Sequence, residues 1–504
     1  MPFYIFSLIL CALSPVLFHY LSLRIYQLCS YRIGEFLHSL STKKASYFSL
    51  GVALPLVSFT VLSSFNARLS VCFFVTLIQT VAVFLFAKLS AKTQLVFTNR
   101  LKRFLVVSAI LSTFLGVVCL IYPPLLALHA QLSVVAFTLS HLILTPLENR
   151  RNARFLKRAQ EKLNAINPIR IGITGSYGKT TAKNILNALL STKFTVCATP
   201  ENYNTPLGIA KTVNDYMKEG DRIFIAEMGA RYKGDISELC EIVHPDYALI
   251  TAIGTQHLLT FGSLSHLKDA KYELIDALND ENNAFFNGDN EGARELYLRK
   301  SKGIITGKGQ KYGWKDYSCD ETGTHFTYYD QTRSVKLTTK LLGKHIPSVI
   351  SQCVVLAFML GVSEQSVKNA VFDLKPVAHR LELLYNGNDV IIDDAYNGNE
   401  SGAKNALDVL SGFNKTRIVV TPGLVELGTR QEIANRELGA YCVGRCDYAI
   451  FVGTNAPVLK SGAKEMDEDK IIVVPSLSKA SEQLKKIKGD RAILFENDLP
   501  DNYN

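Results

Sequence analysis

The stretch GITGSYGKTT, residues 172–181, sets Gly175 and Gly178 just ahead of a lysine and two threonines. Glycines let backbone N–H groups approach phosphate oxygens, and a helix starting here would add the positive end of its dipole. In such a loop Lys179 reaches the terminal phosphates and the Thr180 hydroxyl binds Mg²⁺. Gly175, Ser176, Gly178, Lys179, Thr180 and Thr181 are therefore the nucleotide-binding candidates. The strict G-x4-G-K-T spacing is not met, because position 173 is Ile. An ordinary Gly-rich turn has similar letters, but an apolar strand before it and a helical stretch after it favour the phosphate loop.

A metal opposite such a loop needs further donors. Glu227 ends the apolar run RIFIAE, where a strand end can present a carboxylate to Mg²⁺. His257 follows the run YALITAIG, and Lys271 lies in KDAKYELI. Each has a plain reading as well: strands often end in Glu, a lone His usually packs or faces solvent, and a helix lysine is usually solvated.

These residues need strands to present them. The runs IRIGIT, RIFIAEMG, YALITAIG and NAFFNGD alternate with amphipathic stretches, the pattern of an α/β domain with a mostly parallel sheet. The Thr- and Tyr-rich stretch 311–340 reads as inserted antiparallel strands, followed by a helical segment. After Pro376 a second α/β unit begins, with strand candidates DVIIDDA, TRIVVTPG, YAIFVG, KIIVVP and RAILFE.

The first third of the chain is different. Five apolar segments, roughly 2–23, 45–64, 69–87, 104–122 and 124–146, each approach the ~20 residues that cross a bilayer as a helix. Basic residues cluster after the first, third and fifth, while only Arg68 lies between the second and third. The positive-inside rule then places the N-terminus outside and everything after the fifth segment in the cytoplasm. Residues 1–168 carry 16 Lys/Arg against 3 Asp/Glu, so the basic excess flanks these segments and leaves no footprint for nucleic acid. The ten cysteines show no metal-ligand spacing and read as reduced. The expected organisation is a five-helix transmembrane region (1–148), a basic linker helix (149–168), a P-loop α/β ATPase domain (169–376) and a Rossmann-like C-terminal α/β domain (377–504).

Taken together and in order, GSYGKTT, ENYNTPLG, AEMGA, IGTQHLLTFGS, DAKYELI, NGDN, HRLE and DDAYNGNES resemble the Mur ligases of peptidoglycan synthesis. The resemblance covers about residues 169–504 and is closest to the branch that adds D-alanyl-D-alanine to a muramyl tripeptide. It implies ATP and two Mg²⁺ ions as cofactors, with Thr180, Glu227, His257 and a carbamylated Lys271 around the metals. Asn202, Asn204 and Thr205 match the substrate loop, and Asn287 the adenine side. Arg380 would meet the phosphates and Asp394 the ribose, while Tyr396, Asn397 and Asn399 would line the amine site. The implied chemistry is phosphorylation of a carboxylate to an acyl phosphate, then amide formation with an incoming amine. Lys179, Lys271, His257 and Arg380 are the catalytic candidates.

Three places depart from the family pattern. Ile346 and Val349 replace two asparagines in GKHIPSVIS, Glu400 replaces a proline, and ILFENDLPDNY stands where relatives have a Lys-Gly-Ser type ending. No counterpart of the family's UDP-binding domain is evident before residue 169, where the apolar segments lie. The expected partners are a muramyl-peptide or lipid-linked precursor, an amine co-substrate and membrane lipid. A ligase for another surface polymer such as polyglutamate, or a nucleotide-binding scaffold without turnover, are the competing readings.

Overall fold

The computed structural model describes residues 2–29, 31–34, 36, 57–62, 68–89, 94–200, 203–254, 261, 263–300, 302–376, 379–395, 400–425, 427 and 430–497. Two compact units divide between Arg154 and Phe155.

The first unit is helical, with α1 (Pro2–Leu28), α2 (Leu69–Leu89), α3 (Asn99–Cys119) and the start of α4 (His129–Ile166). Among the described residues three helices are long and apolar enough to cross a membrane: α1, α3 and residues 132–166 of α4, with mean hydropathies of 1.9, 1.8 and 1.2. Residues 69–85 of α2 add a shorter apolar stretch. The expected second segment lies outside the described residues except for 57–62, so the five-helix count is not reproduced among the described residues. Two boundaries also differ. Residues 123–128 form a 3₁₀ turn opened by two prolines, which lack the N–H groups a helix interior needs. The expected break between a last apolar helix and a linker helix is absent, because α4 runs through both, past Pro146. The Arg, Lys, Ala, Leu and Glu residues beyond Pro146 are strong helix formers.

Polar side chains bond across the apolar surfaces of these helices. His19 Nε2 lies 2.5 Å from Ser133 Oγ, and the Tyr26 hydroxyl bonds to His141. Numbering rises together in these pairs, so α1 and α4 are parallel. Ser112 Oγ is 3.1 Å from His129 Nε2 and Arg103 grips Glu148 through two bonds of 2.6 and 2.9 Å, so α3 runs the opposite way. Phe3 packs on Phe73 and Tyr20 on Phe84, making α2 parallel to α1. Among apolar helices such pairs act as specific glue.

The second unit holds two six-stranded, mainly parallel sheets and a smaller antiparallel one. The first uses β1 (Ile169–Thr174), β2 (Val196–Ala198), β3 (Ile223–Glu227), β4 (Tyr247–Ile250), β5 (Ala284–Asn287) and β6 (Ile304–Thr306), ordered β2-β3-β1-β4-β5-β6. Its central strands are buried on both faces, which is why they read as unbroken apolar runs. On one face pack α7 (Asp235–Val243), α8 (Leu264–Asp276) and Ala159 and Leu163 from the end of α4. On the other pack α5 (Lys179–Leu190) and α10 (Ile346–Met359). Short α6 (Pro206–Lys211) and α9 (Glu291–Lys300) complete the connections. The inserted strands β7 (Gly313–Asp320), β8 (Gly323–Tyr329) and β9 (Ser334–Thr339) form the expected antiparallel sheet, which packs with α11 (Glu364–Phe372).

The C-terminal sheet contains β10 (Glu382–Asn386), β11 (Asp389–Asp394), β12 (Thr416–Thr421), β13 (Tyr448–Val452), β14 (Ile471–Val474) and β15 (Arg491–Glu496). Its order is β10-β11-β15-β12-β13-β14, with only the edge pair β10–β11 antiparallel. Helix α12 (Glu400–Leu410) contributes to its core.

Candidate active site

The site lies at the carboxyl ends of β1, β3 and β4, where open α/β sheets bind ligands. Gly175 has φ 154°, and a Cβ there would stand 2.1 Å from Thr251 Oγ1, so no side chain fits. Gly178, at φ 77°, turns the chain into α5. The loop is clamped to the end of β4. Ser176 N–H donates to the Ala252 carbonyl at 2.6 Å, Ser176 Oγ donates to Gly254 O at 3.2 Å, and Thr251 Oγ1 donates to Tyr177 O at 2.6 Å. Ser176 thus braces the loop with both its N–H and its hydroxyl. Lys179 Nζ curls back to donate to Gly175 O at 2.7 Å and Ser176 O at 3.3 Å. Burial pulls its pKa down, with Glu227 opposing. Thr181 is half-buried in the first turn.

Glu227 is the hub. Its Oε2 accepts from Thr180 Oγ1 at 3.0 Å, and its Oε1 accepts from Asn204 Nδ2 at 3.3 Å. Thr199 Oγ1 accepts from the Glu227 N–H at 3.0 Å. The same Oε2 lies 3.1 Å from Lys183 Nζ, and both side chains are 3% exposed. Sequence reasoning missed Lys183. The available signal was its place in the buried stripe of α5 with Ala182, Ile185, Leu186 and Leu189, since a lysine in such a stripe needs a countercharge.

Lys271 projects from α8 and is 3% exposed. Burial and then the nearby Lys179 lower its pKa to about 7, against the pull of Asp235 and Glu273. Glu273 itself accepts from Gly234 N–H at 2.7 Å and Ser237 N–H at 3.0 Å, at the start of α7. Thr180, Asn204 and Lys183 thus meet at Glu227, with Lys179 within electrostatic reach of that carboxylate and Lys271 within reach of Lys179. His257, Asn202, Tyr396, Asn397 and Asn399 lie outside the described residues.

Other candidates hold local structure. Thr205 caps α6, its Oγ1 accepting from Gly208 N–H at 3.3 Å. Asn287 is buried and its Oδ1 accepts from Asp289 N–H at 3.1 Å. Exposed Arg380 stands between two residues in the left-handed region, His379 at φ 60° and Leu381 at φ 48°. Three contacts tie this turn down. Leu381 N–H donates to Asp394 Oδ1 at 3.1 Å, His379 Nδ1 lies 2.7 Å from Asp393 Oδ2, and His379 N–H donates to Glu382 Oε2 at 3.1 Å. Asp394 is itself 1% exposed, and its Oδ1 holds the Arg380 turn. His379 too was missed, although it is the first letter of HRLE.

The Mur ligase middle domain matches residues 173–351, and the Mur ligase glutamate ligase domain matches residues 379–496. This chain belongs to the Mur ligase family. Members of the Mur ligase family are ATP-dependent, ADP-forming ligases. The UDP-N-acetylmuramoyl-tripeptide--D-alanyl-D-alanine ligase of Bacillus subtilis (strain 168) is 31% identical over 307 residues, covering 60% of this chain and 66% of the relative. The ligase of the same name from Haemophilus influenzae is 28% identical over 349 residues, covering 66% and 76%. The MurF ligase of Thermotoga maritima, solved in complex with ADP, shares the fold with a TM-score of 0.56 and 27% identity, covering 69% of this chain and 80% of that one. The chain thus spans about two thirds of the length of the Bacillus Mur ligase, and residues 1–172 precede both matched domains.

Proposed function

We propose that this protein is an ATP-dependent amide ligase held at the cytoplasmic membrane. A carboxylate of a muramyl-peptide precursor takes the terminal phosphoryl group of ATP, and D-Ala-D-Ala or a similar amine attacks the acyl phosphate. The C–N bond forms, phosphate leaves, and the amine loses a proton. The observation that carries this reading is the Thr180 hydroxyl set 3.0 Å from Glu227 beside the glycine loop of Lys179, in a chain of this family.

Each residue has a task. Lys179 swings from its own loop carbonyls to the terminal phosphates. The Lys271 amine, with a pKa of about 7, is neutral often enough to bond to CO₂ and lose a proton, giving a carbamate anion. Thr180, Glu227, His257 and that carbamate fit a set of hard oxygen and nitrogen donors for two Mg²⁺ ions. When bound, Mg²⁺ neutralises charge on the phosphate oxygens. Asn202, Asn204 and Thr205 orient the carboxylate substrate, and Tyr396, Asn397 and Asn399 the amine. Arg380 approaches the phosphates from the C-terminal domain, and domain closure keeps water from the acyl phosphate. Asn287 and Asp394 serve the adenosine.

The topology that accompanies this reading is multi-pass, with the N-terminus outside and the catalytic unit in the cytoplasm. Support comes from the parallel course of α1 and α2 and from the charges that flank the apolar segments. Apolar helices beside a wall-precursor ligase also favour a lipid-linked acceptor as a second reading.

The test uses detergent-purified protein with ATP, Mg²⁺, UDP-N-acetylmuramoyl-tripeptide and D-Ala-D-Ala, read by ADP release and product mass. A pentapeptide product supports the first reading. ADP release only with a lipid-linked acceptor, or only with glutamate, moves the substrate. ATP binding without turnover on any acceptor rejects the ligase and leaves a scaffold.

A further inference from the structure

Lys183 follows Lys179 by one turn of α5, and its ammonium lies 3.1 Å from Glu227 Oε2 in a pair closed to solvent. Thr180 and Asn204 complete the ring around that carboxylate. An enclosed carboxylate needs a countercharge, and here a lysine of the same chain supplies it. A second lysine, Lys179, lies within electrostatic reach of the same carboxylate.

We propose that Lys183 keeps Glu227 neutralised in the nucleotide-free protein, so that the divalent cation enters only together with the nucleotide phosphates. This rests on the reading of Glu227 as a metal ligand. One carboxylate facing two ammonium groups offers no net negative charge to a free cation. A bound polyphosphate brings that charge and tips the balance towards the metal. Lys183 is a positioning residue: it acts through Glu227, fixing Oε2 beside the Thr180 hydroxyl and setting the order of arrival.

The experiment measures Mn²⁺ binding to the detergent-solubilised full-length chain by the electron paramagnetic resonance of free Mn²⁺, with and without a non-hydrolysable ATP analogue. Wild type should bind Mn²⁺ weakly alone and tightly with the analogue. Lys183→Gln should bind Mn²⁺ at least ~10-fold tighter without nucleotide, and Lys183→Arg should remain weak. Nucleotide-free affinity in Lys183→Gln no greater than in wild type overturns the proposal. If Lys183→Gln melts too low to titrate, millimolar Mn²⁺ alone should restore its melting temperature, and failure to do so overturns the proposal as well. Glu227→Gln separates the two readings. If it binds Mn²⁺ with the analogue as tightly as wild type, the metal-ligand reading of Glu227 fails, whatever Lys183 does.

Discussion

Lys271 lies buried within electrostatic reach of Lys179, and burial with that second ammonium brings its amine to about 7. A fully charged lysine would be a poor neighbour for a phosphate-gripping lysine only as long as it stayed cationic. Conversion to a carbamate reverses its sign and makes the pair attractive.

Lys271→Ala should therefore abolish turnover while nucleotide binding persists, and added acetate or formate should restore part of the rate. In wild type, ¹³C-bicarbonate should give a carbamate resonance that weakens as pH falls below about 7, because the protonated amine cannot react. Full activity in the alanine variant would remove the carbamate from the mechanism.

Glu496 gives the pH dependence of stability. It is 1% exposed, its Oε2 accepts from Thr421 Oγ1 at 2.5 Å, and its Oε1 has no hydrogen-bond partner among the described residues. Burial, with Asp394 adding to it, raises its pKa from 4.5 to about 8, while Thr421 opposes. The folded state then holds a proton that the unfolded chain releases above its ordinary value. The resulting stabilisation is complete below 4.5 and is lost as pH rises through about 8. The slope approaches ~1.4 kcal/mol per pH unit within that window. Glu496→Gln should flatten the melting temperature between pH 5 and 8 relative to wild type, and an unchanged profile would reject this origin.

His379 tests the Arg380 turn. Asn tolerates the left-handed backbone that His379 adopts at φ 60°, so His379→Asn removes the Asp393 contact without adding strain. With His379 exposed, global stability should shift by less than ~1 kcal/mol. The KM for ATP should rise several-fold, with kcat at saturating ATP changed less. A melting temperature that falls while KM stays fixed would assign His379 to stability alone.

Arg103 and Glu148 test the helical unit. The Glu148 side chain is 7% exposed, so Arg103→Met strands a carboxylate and should cost ~1–3 kcal/mol, discounted for the 35% exposure of Arg103. Adding Glu148→Leu should recover most of that loss in a detergent melt. A double variant as unstable as the single one would show that α3 and α4 depend on the pair itself.

Every strand that the apolar runs announced is present, and the three that escaped are all sheet edges. Val196–Ala198 and Ile304–Thr306 have three residues each, and Glu382–Asn386 is largely exposed. Edge strands need no unbroken apolar run, so they leave little periodic trace. Lys179, Thr180, Glu227 and Lys271 were legible because their neighbours form quotable motifs. Lys183 was not, because a helix lysine looks solvated until its partner 44 positions away is known to be buried beside it. The single long α4 was hidden by a proline and an abrupt change of polarity, neither of which stops a helix with strong formers on both sides.

The strand order of the C-terminal sheet bears on biosynthesis. β15 is inserted between β11 and β12, so a central strand leaves the ribosome only after β12, β13 and β14 have emerged. Until residues 491–496 emerge, β11 and β12 each expose an unpaired backbone edge and one half of a core. The middle domain, whose strands are all complete by residue 339, can fold well before that. A nascent chain would thus carry a finished nucleotide cradle while its partner domain is still open, which makes the interval before β15 docks the time of greatest exposure to proteases and chaperones.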